Sequence, residues 1–260
     1  MKFEKIRLEF THEERVARIT LASPKANILD RVMIRELDAA VSQCANRALN
    51  AIVLAADGPH FSFGASIQEH LPDQIAGTLQ ALHALLRRIY EAPAPVIAAV
   101  RGQCLGGGFE LVLACDLIIS DKTAEFASPE IKLAVFAPAA SALLPLRVGQ
   151  AVASRLLLTG ATIIAEEAAR CGLVAKITDD LDAGLNQWLE SDFLPRSPSS
   201  LKFACRAARL LLRRVLEQDL PEIESLYMRD LMATPDAEEG IRAFLEKRSP
   251  HWNKPALAQG

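Results

Sequence analysis

Three successive glycines, Gly106-Gly107-Gly108, follow an apolar run and open the segment Phe109–Ala114, whose one charged residue is Glu110. Glycines at a strand-to-helix turn let a ligand approach the backbone and leave the first N–H groups of the helix free. Together with the helix dipole, those donors favour a negative oxygen. A tight turn that only packs the helix against its strand would use the same residues. The spacing is not the G-x-G-x-x-G of dinucleotide folds, and no Lys-Ser/Thr follows as in a phosphate-binding P-loop. Glu110 sits among apolar neighbours, where a carboxylate is costly unless paired or employed; capping the first helical turn is its bland alternative. Glu130, in Ser128-Pro129-Glu130-Ile131, is a second carboxyl. Taken alone it reads as a surface group, and nothing in the spacing brings the two glutamates together.

The elements that must position these residues alternate strand and helix. Phe3–Phe10 and Val16–Leu21 read as strands, and Asp30 caps a helix with Met33, Ile34, Leu37 and Val41 on its apolar face. Ala51–Ala55 is a short strand closed by Asp57-Gly58-Pro59, and Phe61–Glu69 is irregular. A helix over Leu79–Tyr90 stops at Ala92-Pro93-Ala94-Pro95, and Val96–Val100 is a buried strand by its unbroken apolar character. Further strands fall at Leu117–Ser120 and Phe126–Ala127. Helices follow over Ala140–Val148, Ala151–Thr159, Ala165–Cys171 and Asp182–Leu189. The remainder is helical from Ser197-Pro198-Ser199-Ser200, read as an N-cap. Such alternation implies βαβ units and a mostly parallel sheet.

Composition narrows the function classes. Half of the 260 residues are hydrophobic and 23% are charged, as in ordinary globular proteins. A formal net charge of −3 argues against a nucleic-acid partner. Met1–Phe10 has no apolar targeting core, and no apolar run is long enough to span a bilayer, so a cytoplasmic location without membrane contact is expected. Cys44, Cys104, Cys115, Cys171 and Cys205 form no metal-site spacing and read as small apolar fillers.

The run Ile97-Ala98-Ala99-Val100-Arg101-Gly102-x-x-Leu105-Gly106-Gly107-Gly108-Phe109-Glu110-Leu111, then Cys115-Asp116 and Phe126-Ala127-Ser128-Pro129-Glu130-Ile131, resembles the signature of the crotonase (enoyl-CoA hydratase/isomerase) family. Phe61-Ser62-Phe63-Gly64-Ala65 is similar to its F-x-x-G-A-D segment. Leu158-Thr159-Gly160, with Ala168 and Gly172-Leu173-Val174, and the stretch from Glu239-Gly240 to Glu246-Lys247-Arg248 match later motifs. The resemblance implies an α/β fold, a crotonase-like spiral of ββα units with a C-terminal helical region. It divides the chain into a core over 1–195 and a helical assembly region over 196–260. It places the oxyanion donors at the backbone N–H groups of Ala65 and Gly107, and the acid/base pair at Glu110 and Glu130. One carboxylate would activate water and one carboxylic acid would protonate the α-carbon; neighbouring carboxyls divide their pKa values and so can share that work. CoA contacts are implied for Lys25, Ala26, Asn27, Ser66, Ile67, Gly106 and Lys247. No cofactor or metal is implied, coenzyme A being part of the substrate. A homotrimer or dimer of trimers is the family's usual assembly.

Two departures stand out. Ser66 occupies the usual aspartate position, and Phe136-Ala137-Pro138-Ala139-Ala140-Ser141 replaces a glycine-rich P-G-A-G-G-T loop. Alanines stiffen that backbone, a helix begins there, and Phe136 is expected to wall the acyl pocket. With Asn27-Ile28-Leu29-Asp30, this loop is similar to that of hydratases acting on alicyclic dienoyl-CoA esters such as cyclohexa-1,5-diene-1-carbonyl-CoA. The competing readings are a short-chain enoyl-CoA hydratase, an isomerase or ring-opening hydrolase of the family, and a non-enzymatic RNA-binding relative, which the charge disfavours.

Overall fold

In a computed structural model, residues 3–23, 26–70 and 74–253 are described. Strands β1 (Ile6–Thr11) and β2 (Val16–Leu21) form an antiparallel hairpin. Beside β2 lie β3 (Ala51–Ala56), β4 (Val96–Val100), β6 (Leu117–Asp121) and β9 (Lys176–Thr178), each parallel to its neighbour, giving a six-stranded sheet. Continuous apolar runs make sense here because both faces are covered. Ile52, Leu54, Ala98 and Val100 face the main core, while Val53, Ile97, Ala99 and Ile119 meet Leu181 and Leu185 on the other side.

A second, three-stranded sheet joins β5 (Gln103–Leu105), β7 (Glu125–Ala127) and β8 (Ile163–Ile164). The sequence offered no strand at β5, β8 or β9; two or three residues carry too little periodicity, and only pairing defines them.

Helix α1 (Arg31–Cys44) begins as the Asp30 cap requires, with the Met33 N–H donating to its carboxylate at 3.0 Å. Helix α2 (Ile75–Glu91) extends further than its apolar face suggested. Then come α3 (Gly107–Leu113), α4 (Pro138–Val148), α5 (Gln150–Thr159), α6 (Ala165–Arg170) and α7 (Leu181–Trp188). The C-terminal segment contributes α8 (Pro198–Ala208), α9 (Leu210–Arg214), α10 (Leu220–Ser225) and α11 (Pro235–Leu245). Ser197 occupies the N-cap of α8, but its hydroxyl meets Ser199 Oγ rather than a helix N–H. Val215, Leu216 and Leu220 enter the same core as the sheet.

Helix α11 docks through Gly240. A Cβ there would fall 2.2 Å from the Leu133 carbonyl oxygen, so only glycine permits the approach. Cys44, Cys104, Cys115 and Cys205 are buried, and desolvation pushes each thiol up, holding it protonated. Among the described residues no helix is long and apolar enough to cross a membrane.

Candidate active site

The parallel pairing of β5 with β7 brings the two glutamates together. Leu105 stands opposite Ala127, and the Gly106 N–H continues the ladder by donating to the Ala127 carbonyl at 2.9 Å. Both chains then leave the sheet at the same edge. One turns into α3, which carries Glu110, and the other enters a 3₁₀ turn over Pro129–Leu133, which carries Glu130. Glu130 Oε1 consequently lies directly over Gly106.

Gly106 has φ +50° and ψ −126°, a conformation that disfavours any side chain. A Cβ there would come within 2.5 Å of Glu130 Oε1. Gly106→Ala is therefore expected to displace the carboxylate, lowering kcat by about 10- to 100-fold and stability by about 1–3 kcal/mol. Paired steady-state kinetics and urea melts check it.

The loop after β3 supplies the opposing backbone. Leu29 bridges Ala65 as a short parallel pair: the Leu29 N–H donates to the Gly64 carbonyl at 2.9 Å, and the Ser66 N–H donates to the Leu29 carbonyl at 3.4 Å. Strand alternation turns the Ala65 N–H the other way, towards α3. A Cβ on Gly107 would stand 3.2 Å from the Ala65 nitrogen, and one on Gly64 3.3 Å from the Gly107 nitrogen. The two N–H groups thus flank one narrow space. The first i→i−4 bond of α3 runs from the Glu110 N–H to the Gly106 carbonyl, so the Gly107 N–H has no helical acceptor. Two convergent N–H donors at a helix start suit an oxygen that gains negative charge.

The glutamates occupy unlike surroundings. Glu110 is buried, 3% exposed, and accepts from the Ala140 N–H at 2.9 Å. Ala140 lies in the first turn of α4, so the N-terminus of that helix faces Glu110. Alanine in place of glycine favours this helical start. Glu130 Oε2 is buried with no hydrogen-bond partner among the described residues. Desolvation first, and then the charge of Glu110, push the Glu130 carboxyl up to about 8. One carboxyl is thus held by a helix N-terminus while the other keeps its proton at neutral pH.

A cavity of about 60 Å³ adjoins Glu130, lined also by Gly64, Ala65, Ile67 and Gly106, with Phe63, Pro129, Leu133, Val135 and Ile241 as its apolar walls. Of the residues expected at the site, Ala65, Ile67, Gly106, Gly107, Glu110 and Glu130 gather here. Phe136 packs edge-on against Tyr227, with ring centroids 5.2 Å apart, and leaves the wall to Val135. Leu133, Val135 and Ile241 carried no signal in the sequence beyond being apolar.

The remaining expected contacts lie around this centre. Asn27 is buried with φ +44°, and its side chain is committed to the backbone. It accepts from the Ser23 N–H and donates to the Asp57 and His60 carbonyls at 3.0, 3.1 and 3.2 Å. The Ala26 carbonyl accepts from the Phe63 N–H at 2.9 Å, which braces the loop bearing Ala65 and Ser66. A second cavity of about 270 Å³ opens between Ala22, Ser23, Asn27 and Asp57–His60, beside the loop at which CoA contacts are expected. Lys25 lies outside the described residues, and Lys247 is exposed beyond the end of α11.

Comparison with known proteins identifies the family. The family model described as enoyl-CoA hydratase/isomerase matches residues 11–255. Cyclohexa-1,5-dienecarbonyl-CoA hydratase of Thauera aromatica is 48% identical over 236 residues, covering 90% of this chain and 92% of that protein. The 2,3-dehydroadipyl-CoA hydratase of Escherichia coli is 33% identical, covering 92% and 96%. The crystal structure of an enoyl-CoA hydratase from Mycobacterium avium superposes with a TM-score of 0.85 at 30% identity, covering 96% and 99%. The chain belongs to the enoyl-CoA hydratase/isomerase (crotonase) family and is a hydro-lyase of the enoyl-CoA hydratase type.

Proposed function

We propose that this enzyme adds water to an alicyclic dienoyl-CoA ester of the cyclohexa-1,5-diene-1-carbonyl-CoA type. The observation that carries hydration is the pair of carboxyls, one held ready with its proton and one anchored at a helix N-terminus, beside the converging Ala65 and Gly107 N–H groups. The thioester oxygen accepts from the Ala65 and Gly107 N–H groups, which stabilise the enolate-like charge. The Glu110 carboxylate takes a proton from water as the water oxygen bonds to the β-carbon. Protonated Glu130 delivers its proton to the α-carbon. The proton left on Glu110 is returned to Glu130 before the next turnover.

The alicyclic assignment rests on the likeness to the Thauera aromatica hydratase. The small cavity with walls of Leu133, Val135 and Ile241 favours a compact acyl head over a long chain. Phe63, 41% exposed at the mouth, is the side chain best placed to swing aside on binding. The same reading expects a homotrimer or dimer of trimers. Phe203, Leu210, Leu211 and Phe244 leave exposed apolar surface on the C-terminal helices that assembly would cover.

The test incubates the enzyme with crotonyl-CoA and with the cyclic dienoyl ester and follows the mass gain of one water. The cyclic ester is expected to react with a kcat/KM higher by about tenfold or more. Preference for the linear ester overturns the alicyclic assignment, and no gain with either overturns hydration.

A further inference from the structure

Tyr227 is 1% exposed, and its hydroxyl is buried with no hydrogen-bond partner among the described residues. Such a group is uncommon in a folded protein and points to a role or a ligand. It lies in a π-helical stretch over Leu226–Leu231, between α10 and α11; π-helical turns recur at functional sites. Its ring shares one apolar cluster with Leu133, Val135 and Ile241, the same residues that wall the cavity beside Glu130. Phe136 fixes the ring from the side. Burial, then the charges of Glu130 and Glu110 in that order, push the phenol far above its usual range, so it stays a donor at every pH of interest. Glu130 Oε2 is the complementary orphan, a buried carboxyl oxygen without a partner among the described residues.

We propose that the Tyr227 hydroxyl is a positioning group for hydration, donating its hydrogen bond to the water that adds to the substrate. One oxygen bridging the phenol and the carboxyls would satisfy both orphans, and a site with two to four polar partners is what holds an ordered water. That water accepts from Tyr227 and donates its two hydrogens to Glu110 and Glu130. This leaves one lone pair, directed at the β-carbon. In the step, the water O–H bond to Glu110 breaks and the C–O bond forms. Glu130 supplies the proton to the α-carbon, and Tyr227 keeps its own. The same contact then holds the new hydroxyl of the product. The C-terminal segment thereby contributes a polar group to the reaction besides its apolar wall.

This inference rests on the hydratase reading above. The test is Tyr227→Phe, assayed on whichever enoyl-CoA ester the parent enzyme hydrates. The expected result is a kcat lower by about tenfold, the worth of one ordinary hydrogen bond. KM is expected to stay within about twofold, and the melting temperature within about 5 °C, because the hydroxyl's one partner is a bound water. A variant with parental kcat overturns the proposal, since the hydroxyl is then only a buried passenger. A variant that melts lower by more than about 5 °C, or loses KM as much as kcat, overturns it too, because the role is then structural. A parent that hydrates no ester defeats the hydratase reading instead, which keeps the two failures apart.

Discussion

Replacing Glu130 by glutamine is expected to lower kcat for hydration by roughly a thousandfold, with KM nearly unchanged. Glutamine keeps the shape and fills the position over Gly106, but it has no proton to give to the α-carbon. Glu110→Gln is expected to fall about as far, because water then loses its base. The double variant should lose little more than either single one, since the two groups act as a unit. The pH profile separates them. Parental activity falls as pH rises through about 8, where Glu130 loses its proton, and the residual activity of Glu130→Gln lacks that limb. A Glu130→Gln enzyme that hydrates at the parental rate would falsify the two-carboxyl mechanism.

The same substitution has an opposite effect on stability. The folded enzyme holds the Glu130 proton up to about pH 8, whereas the unfolded chain releases it near 4.5. As pH rises from 4.5 to 8 the unfolded state therefore gains relative stability, and the parent weakens across that window. Glutamine does not titrate. Its stability should exceed the parent's by an amount that grows from pH 5 to pH 8.5, on the order of 1–3 kcal/mol, read as a rising difference in melting temperature. Calorimetry at the two pH values measures it. Equal differences at both would show that the carboxyl carries no such penalty.

How much of this was legible in the sequence depended on how local the signal was. Helix α1 was readable from Asp30 and the spacing of Met33, Ile34, Leu37 and Val41, because cap and stripe lie within one element. Strand β4 was readable from five consecutive apolar residues. The meeting of Glu110 and Glu130 was not readable from spacing. It depends on pairing β5 with β7, and Gln103-Cys104-Leu105 shows no alternation that marks a strand. Family resemblance supplied the pair without its cause. Phe136 illustrates the opposite limit. Its type suited an acyl wall, but the 3₁₀ turn ends at Ala134 with φ +57°, and the chain then directs Val135 to the cavity and Phe136 to Tyr227. Tyr227 lies far along the chain in the helical tail that was read as an assembly region.

The other large effect is structural and concerns Arg209. Its guanidinium is 4% exposed and uses all five of its donors. Nε donates to Asp116 Oδ1 at 2.7 Å, and Nη2 reaches Asp116 Oδ2 and the Ala94 carbonyl. Nη1 donates to the Tyr90 and Ala92 carbonyls at 2.7 and 2.6 Å. The Tyr90 carbonyl lies in the last turn of α2, those of Ala92 and Ala94 in the strap between α2 and β4, and Asp116 in turn accepts from the Val96 N–H at 2.7 Å. One side chain thus ties the end of α8 to the start of a central strand. Arg209→Met fills much of the volume but leaves Asp116 without its counter-charge, held only by the Val96 N–H, and takes the guanidinium donors from three carbonyls. It is expected to cost about 3–5 kcal/mol in urea unfolding, far beyond a surface ion pair. Adding Asp116→Asn should recover part of that loss by removing the uncompensated charge. A loss below about 1 kcal/mol would mean that water reaches the freed groups. The chain that runs on from this clasp carries Tyr227 and Ile241 to the site. Arg209→Met enzyme that remains folded at low temperature should therefore also lose turnover, although Arg209 contacts no part of the cavity.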